Sequence, residues 1–525
     1  MLLEHDQELN GWDPIILDTR RPEIVDSSMI RRERSSMKSR TPLLVAAIFA
    51  AAVVSPARAQ TKQSAAPDLD AIAKKVIARE QVVGASVLVT QGGKVLLHKG
   101  YGYAELNLQV PAKDETVYHV VGPLMPFTGV AVMQLVESGK LSLDADISTL
   151  ISEFPLQGHH VTVRDLLGHT SGIVDYHYLG DAIDGTSRQP KALDEVITLF
   201  SHRPWINDPG TTWDWSISGF VLLVDIIERV SGQSFDDYMQ QHIYGPAGMK
   251  STTLCDDFTL TRGLSPGYRR TADGHVQAAE NDMAFNYDLR YCSTVGDLDR
   301  GWQAVRDHKL LKGESLTLMS TPTGPGMHMS PTDAEMHYGL ALTLNHEDKH
   351  RSRGQHGSLL GYAGAMYEFP EDQLTVVVLT NTENQNAYSV ARALARAVLK
   401  LPELPAPPAP QPPRILADEP MAPIARAQLL GDFTVRYDKL PADLHGSFTQ
   451  YRRTYRIFDE NGRLMIEPRG EGAERLLKQP DGTFAMRSAP RTVITFTIEK
   501  NRASRMTMQS PGAGRTLAGG RTGTE

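Results

Sequence analysis

The sequence predicts an α/β domain, with an antiparallel sheet sandwiched by helices, followed by a small all-β domain of barrel-like character. Three patterns support this prediction. Residues 60–400 have strand-like runs near both ends and apolar residues at helical spacing between them, and short strand-like runs follow a proline-rich stretch. A chain of 525 residues, 41% of them hydrophobic, can bury a large core. At roughly 100 to 200 residues per domain, two or three domains are expected.

The first domain begins with a predicted β-hairpin, because Ala85–Thr90 and Lys94–Lys99 are short strand-like runs joined by a glycine pair. Apolar residues then recur at helical spacing in Phe127–Ser138 and Phe220–Val230. The domain ends with the apolar strand Thr375–Thr380 and a helix at Tyr388–Leu399. Strands at both ends with helices between them predict that the terminal strands share one sheet.

Proline density marks a domain boundary at residues 401–413, because such a stretch can neither continue a helix nor pair in a sheet. We therefore assign residues 60–400 to the α/β domain, 401–424 to a linker and 425–525 to the all-β domain. Limited proteolysis in the linker should leave two folded pieces. The predicted strands of the barrel are residues 452–458, 463–466, 484–486 and 493–498, and the Gly-rich tail from Ser510 predicts a frayed end.

Residues 1–59 form an N-terminal extension with the pattern of a secretory signal peptide. Five basic residues between Arg31 and Arg40 precede the apolar run Leu43–Val54, and the small-residue pattern Ala57-Arg58-Ala59 follows it. The run has 12 residues, short of the roughly 20 that span a bilayer, so no transmembrane anchor is predicted. Cleavage after Ala59 would make the protein periplasmic or secreted. The alternative is that the run is a buried Ala-rich helix of the fold.

The translation start is a separate question, because seven acidic residues lie among the first 26. An acidic leader is unusual for a signal peptide, which begins with a basic region. A start at Met29 or Met37 would leave an ordinary leader.

The charge balance argues against nucleic acid as a partner. The net charge is -8, from 62 acidic and 54 basic residues, whereas nucleic-acid affinity depends on clustered Lys and Arg. No cofactor is predicted and no metal site, because Cys255 and Cys292 alone cannot hold zinc and His159-His160 is expected to be a solvated turn. The cysteines could form one disulfide or remain two buried thiols. The expected partner is a small-molecule or peptide-like ligand.

Several sequence landmarks occur in a fixed order between residues 68 and 400. They are Thr116–Asp144, Val161–Gly172 with its Leu-Leu-Gly-His-Thr-Ser-Gly ending, Pro209–Ser216, Gly245–Met249, Gly354–Gly357 and Leu379–Asn381. Together they resemble the serine β-lactamase and penicillin-binding protein superfamily, in the branch of class C β-lactamases, D-alanyl-D-alanine carboxypeptidases and esterases. The resemblance implies a β-lactamase/transpeptidase-like fold and acyl-transfer chemistry at a serine.

The first catalytic motif of that family, S-x-x-K, is missing. Counting back from Phe127-Thr128, the serine position falls on Gly122 and the lysine position on Met125. A register moved by one residue gives Pro123 and Pro126, which also supply neither nucleophile nor base. After the signal peptide, no lysine follows a serine at this spacing.

The two other motifs are altered as well. Where the family has Y-x-N, this chain has Trp215-Ser216-Ile217, and neither an indole nor an isoleucine can shuttle a proton or orient an amide. Where the family has K-T-G or H-x-G, this chain has His356-Gly357-Ser358, with serine in place of the last glycine. These eight positions, from Gly122 to Ser358, are therefore the family active-site positions and a possible ligand site.

These changes predict an exported homologue without the family's acyl-transfer chemistry, which would bind a peptide, lipid or cell-wall-like ligand in a more apolar pocket. An alternative is a working esterase or peptidase in which Ser216 or Ser358 attacks with His356 as base. A third possibility is a scaffold whose C-terminal domain does the binding. The match of Gly263–Gly267 to G-x-S-x-G is expected to be a surface turn, because no strand and helix flank it. His169 is expected to be a hydrogen-bonded packing residue.

Overall fold

The computed structural model describes residues 67–179, 191–255, 260–270, 275–279, 291–324, 337–383, 386–405, 416–439, 453–469, 472–487, 489, 492–510 and 515–522. The predicted signal peptide and the centre of the proline-rich linker lie outside the described residues. Within these ranges, no helix combines the length and apolarity that a bilayer crossing requires.

The helices of the described chain are α1 (Leu69–Arg79), α2 (Met125–Glu137), α3 (Val163–Leu167), α4 (Leu193–Ser201), α5 (Ile217–Ser231), α6 (Phe235–Met239), α7 (Gly245–Ala247), α8 (Val295–Arg306), α9 (Gly313–Met319), α10 (Asn386–Val398) and α11 (Pro423–Ala427). The strands of the first domain are β1 (Gly84–Gln91), β2 (Lys94–Glu105), β3 (Val110–Pro111), β4 (Tyr118–His119), β5 (Thr253–Leu254), β6 (Tyr268–Arg270), β7 (Val276–Ala278), β8 (Tyr291–Ser293), β9 (His337–Tyr338), β10 (Thr343–Glu347), β11 (His350–Leu359), β12 (Tyr362–Phe369) and β13 (Leu374–Thr380).

The terminal strands of this domain pair with each other, as the sequence predicts. An eight-stranded sheet has the order β3-β2-β1-β13-β12-β11-β10-β9, and β1 runs antiparallel to β13. Alternate side chains of β13 point into two cores, because successive residues of a strand face opposite sides of the sheet. Val376 and Val378 pack with α1 and α10, while Val377 and Leu379 pack with the large helical layer that contains α2 and α5. The predicted helix-sandwiched antiparallel sheet is thereby confirmed.

The C-terminal domain is a nearly closed, barrel-like sheet of nine strands, which confirms its predicted class. Its strands are β14 (Gly431–Lys439), β15 (Arg453–Glu460), β16 (Arg463–Pro468), β17 (Glu474–Arg475), β18 (Leu477–Lys478), β19 (Phe484–Ala485), β20 (Val493–Glu499), β21 (Arg502–Ser510) and β22 (Arg515–Thr522). Their order is β17-β16-β15-β14-β22-β21-β20-β19-β18. We call this nine-stranded sheet the barrel below.

The prediction of a frayed tail is wrong for Arg515–Thr522. This segment forms β22, which pairs on one side with β14 and on the other with β21. Glycine is needed at position 519, where a Cβ would collide with the backbone of Thr434. The small, polar composition therefore reflects close approach of strands and not the absence of structure.

A small third sheet joins β4, β8 and β5, in that order, and a disulfide between Cys255 and Cys292 fastens it. This settles the choice between one disulfide and two thiols. The ring nitrogen Nδ1 of buried His119 lies 3.6 Å from Cys255 Sγ. A His and two Cys form the one cluster of metal-ligating side chains among the described residues, but sulfurs that are bonded to each other are not thiolate ligands. The chain leaves β4 directly into residues 120–123, which belong to the site described next.

Candidate active-site region

Helix α2 places the first two family positions where the sequence register predicts them. The helix starts at Met125, and the Gly122 carbonyl accepts a hydrogen bond from the Met125 N–H at 2.9 Å. Gly122 has a φ of +88°, a conformation that favours glycine. Met125 is 6% exposed and packs in the helical core. Neither residue presents a nucleophile or a base, and position 125 faces apolar neighbours.

Backbone packing leaves no space for a side chain at position 122. A Cβ there would lie 2.5 Å from the carbonyl carbon of His356 and 2.7 Å from the nitrogen of Gly357. The contact is reciprocal, since a Cβ on Gly357 would lie 3.2 Å from the Gly122 nitrogen. The structure thus brings together Gly122, His356 and Gly357, three of the predicted site residues, as directly apposed backbones. A serine at 122 would have to displace strand β11.

The motif that replaces Y-x-N sits at the start of α5. Ser216 is the N-cap residue of this helix, but its side chain makes no capping bond. Ile217 is 1% exposed, and its N–H donates to Asp175 Oδ2 at 3.2 Å. Trp215 stacks on the His169 ring, with centroids 4.4 Å apart and an interplanar angle of 27°. The residues at these positions therefore pack the site instead of lining an open pocket.

His169 lies in a cage of aromatic rings, which supports its predicted role in packing. Besides Trp215, its ring contacts Phe220 at 5.1 Å, Tyr338 at 4.9 Å and Trp213 at 6.0 Å between centroids. The Ser216 N–H donates to His169 Nδ1 at 3.2 Å. Burial lowers the pKa of His169 to about 3, so the imidazole is neutral near neutral pH. Its Nε2, Trp213 Nε1 and the Ser216 hydroxyl are buried, with no hydrogen-bond partner in the described part of the chain.

His356 faces away from the helix that carries the family positions. Its Nδ1 is 2.6 Å from the Tyr367 hydroxyl, and its ring stacks on Tyr388 of α10 at 4.3 Å and 11°. Helix α10 covers the side of the sheet opposite α2. Burial lowers the pKa of His356 to about 4. The Ser358 hydroxyl donates to the Tyr362 carbonyl at 3.2 Å. The hydrogen bond of His356 thus runs to Tyr367 and does not join this ring to Ser216 or Ser358.

A small apolar cavity of about 50 Å³ remains beside these residues. It is lined chiefly by Leu124, Met125, Ile217, Phe220, Val221 and Val224. Pockets that enclose a small-molecule ligand usually measure about 300 to 1,000 Å³. The cavity is therefore a packing void on the scale of one or two methyl groups.

The G-x-S-x-G match, predicted to be a surface turn, has exposed residues at Gly263 and Pro266, but its serine is buried. Ser265 is 1% exposed; its hydroxyl donates to the Ala104 carbonyl at 2.5 Å and accepts from Asn381 Nδ2 at 2.9 Å. Isolated β-bridges pair Val117 with Leu264 and Tyr268 with Thr382, so backbone hydrogen bonds fix the loop on both sides of Ser265. Ser265 holds chain segments together and presents no activated oxygen.

Sequence reasoning missed three features of this region. It did not anticipate that position 122 abuts β11, that His169 fills an aromatic cage, or that His119 lies beside the cysteines. One signal for the cage was present: Trp213 and Trp215 flank one residue just before an apolar helix. The other two contacts join segments more than 130 residues apart, and no local pattern encodes them.

A family model described as Beta-lactamase matches residues 69–400. Penicillin-binding protein 4* of Bacillus subtilis (strain 168) is 28% identical over 328 residues, which cover 58% of this chain and 70% of that protein. A solved structure of a penicillin binding protein from Bacillus halodurans is 25% identical, with a TM-score of 0.55, and covers 62% of this chain and 99% of that chain. The octameric penicillin-binding protein homologue from Pyrococcus abyssi is 21% identical, with a TM-score of 0.57, over 86% of this chain and 99% of that chain, a likeness of fold alone.

Proposed function

The chain belongs to the Beta-lactamase family, and from that premise we propose that it is an exported, non-catalytic member that binds a ligand it does not cleave. The observation that supports this most directly is the contact at position 122. There a Cβ would lie 2.5 Å from the His356 backbone, where the family requires its nucleophilic serine. Export rests on the signal-peptide pattern that ends at Ala59.

Acyl transfer needs an oxygen nucleophile beside a base, followed by a group that protonates the leaving group. Gly122 and Met125 supply neither of the first two, and Trp215 has no proton to exchange near neutral pH. The members of a catalytic unit depend on one another, so the loss of a single member already removes most of the catalytic rate. A mechanism would have to use other residues throughout.

The second candidate function is hydrolysis by a displaced serine, and one observation favours it. The Ser216 hydroxyl has no hydrogen-bond partner among the described residues, and its own N–H bonds to the His169 ring. Against it stands burial, since Ser216 is 2% exposed and His169 1%. The lone pair of His169 Nδ1 is already engaged by that N–H, so this nitrogen is not free to accept the hydroxyl proton.

The ligand class we propose rests on the family, and the volume of the cavity bears on where such a ligand would bind. A peptide, lipid or cell-wall-like fragment is the class we propose, and penicillin is a natural probe because the relatives are named for binding it. The cavity of about 50 Å³ is too small for any of these. The binding surface would therefore lie outside the family pocket.

Intact-mass analysis of the exported protein tests this proposal. The mature chain should begin at Gln60 and keep an unchanged mass after incubation with penicillin and with a fluorophosphonate, which labels activated serines. The matched control is the double variant Ser216→Ala/Ser358→Ala, which should behave identically. A covalent adduct on the unmodified protein that is lost in the double variant would overturn the proposal in favour of the displaced serine.

A further inference from the structure

A polar cleft of about 500 Å³ lies between the first domain and the barrel. His159, Trp205 and Asp208 line it from the first domain, and Thr434, Thr454 and Arg469 line it from the barrel. Its volume falls within the usual range for ligand sites, about 300 to 1,000 Å³. It is ten times the volume of the cavity beside Met125.

Two opposite charges that have no partner among the described residues line this cleft. Arg469 is exposed, and its guanidinium forms no ion pair or hydrogen bond within the described ranges; its backbone N–H alone is bonded, to the Thr454 carbonyl. The exposed carboxylate of Asp208 likewise has no partner there, and only its backbone carbonyl accepts a bond, from Thr211. A free guanidinium and a free carboxylate that line one cleft without meeting can both engage a bound molecule.

Rings and hydroxyls complete the lining. The His159 and Trp205 rings pack together with centroids 4.6 Å apart and an interplanar angle of 31°. The Thr434 and Thr454 hydroxyls are 2.8 Å apart, and Thr434 also donates to the Thr522 hydroxyl at 3.3 Å, so what remains on the Thr434 and Thr454 oxygens is acceptor capacity. Asn207, from the same loop as Asp208, donates to Asp214 at 3.4 Å, so its amide oxygen remains an acceptor.

The barrel contributes a second cation near this loop. Burial raises the pKa of Asp214, and the positive charge of Arg453, at the start of β15, acts in the opposite direction. Asp214 also accepts the Asn207 amide, and its N–H donates to the His169 carbonyl at 2.9 Å. These two hydrogen bonds tie the loop of the cleft to the segment that carries His169.

We propose that this cleft binds an acidic saccharide, a proposal that rests on the binding role inferred above and names its ligand class. A carboxylated sugar matches the groups present: the Arg469 fork suits a carboxylate, Asp208, Asn207 and the threonines suit hydroxyls, and ring carbons pack on His159 and Trp205. A lipid chain would leave these polar groups unsatisfied. Nucleic acid is disfavoured, because phosphate binding requires clustered positive charge and the lining of the cleft pairs one arginine, Arg469, with the negative charge of Asp208.

Calorimetric titration of the full-length mature protein with trigalacturonic acid tests the proposal. Its fully methyl-esterified form is the matched ligand, because it keeps the sugar rings and their hydroxyls and replaces each carboxylate with a neutral methyl ester. We expect measurable binding of the acid and at least about tenfold weaker binding of the ester, since a hydrogen bond to a charged group is lost. Quenching of tryptophan fluorescence should accompany binding, because Trp205 lines the cleft. No binding of either ligand at millimolar concentration would overturn the proposal.

Variants distinguish this cleft from any other basic surface. Arg469→Ala should weaken binding of the acid about tenfold or more, whereas Arg463→Ala, an exposed arginine at the start of β16, should leave it unchanged. Thermal melting of both variants checks that they fold. Equal loss in the two variants, or none in Arg469→Ala, would refute the assignment. Covalent labelling by a fluorophosphonate is a separate readout, so a catalytic protein could still pass this test and a non-catalytic one could fail it.

Discussion

The family site and the interdomain cleft lie at opposite ends of one loop, and they have opposite properties. At residues 213–217 the loop enters a packed region where Trp215 covers His169 and Ile217 lines a void of about 50 Å³. At residues 205–208 it borders a cleft of about 500 Å³, whose lining includes two charges without a partner in the described part of the chain. Apolar packing occupies the place where the family performs chemistry, and free polar groups occur where the two domains meet. The position of a family's active site therefore does not by itself locate a ligand site.

The largest expected effect comes from restoring the family serine. Gly122→Ser should destabilise the protein by about 3 kcal/mol, because a side chain must adopt a positive φ and also displace the backbone of β11. Urea unfolding measures this loss. Adding Met125→Lys should restore no ester hydrolysis, since the ammonium would be buried in the hydrophobic core at this position.

Gly139→Ser is the control that separates conformational strain from collision. Gly139 follows the other end of α2 with a φ of +71°, and a Cβ there would meet nothing within 4 Å. This variant should lose only about 1 kcal/mol. If Gly122→Ser and Gly139→Ser lower the free energy of unfolding equally, the close contact with β11 does not prevent a side chain at position 122.

The second prediction concerns acid stability. The pKa of His169 is about 3 in the folded protein, below the 6.5 of the ordinary side chain, so the unfolded chain binds the proton more readily. The contribution of neutral, buried His169 to the free energy of unfolding is therefore fully present above pH 6.5. It is lost as the pH falls from 6.5 towards 3. Between pH 6.5 and 4.5 the free energy of unfolding should fall by about 2–3 kcal/mol from this residue.

Urea unfolding of His169→Gln across that range tests the assignment. The variant should be less stable at pH 7 and show a flatter dependence on pH than the unmodified protein. His202→Gln, at an exposed histidine, should keep the original dependence. An unchanged slope in His169→Gln would mean that protonation of other groups governs acid stability.

The smallest effect comes from filling the cavity. Val221 is 1% exposed and lines the void, so Val221→Ile should add about 0.5–1 kcal/mol of stability by occupying empty space. Val95→Ile, at a side chain that is 61% exposed, should change stability little. Destabilisation by Val221→Ile would show that the void cannot accept a methyl group. The family site would then be even more tightly packed, in contrast to the open cleft beside the barrel.

Local patterns predicted much of this fold because they are repeated along the chain. The hairpin of β1 and β2, helices α2 and α5, and the pairing of β1 with β13 follow from periodicity and from the order of elements. The register of Gly122 followed from the family landmarks. Its consequence did not, because the collision with His356 depends on a contact across more than 230 residues. Likewise, the contacts of the His356 ring with Tyr367 and Tyr388 join β11 to a neighbouring strand and to α10, and no pattern around His356 encodes them.

The barrel has its last strand, β22, in the middle of its sheet, between the first strand β14 and β21. A ribosome makes the chain from its N-terminus, so Arg515–Thr522 becomes available only after the eight other strands of this sheet have been made. Until then β14 and β21 have no strand to join them, and the sheet remains two separate edges. The first domain can complete its sheet earlier, once β13 has been made. The barrel, and the cleft that depends on it, can therefore form only after β22 has been made.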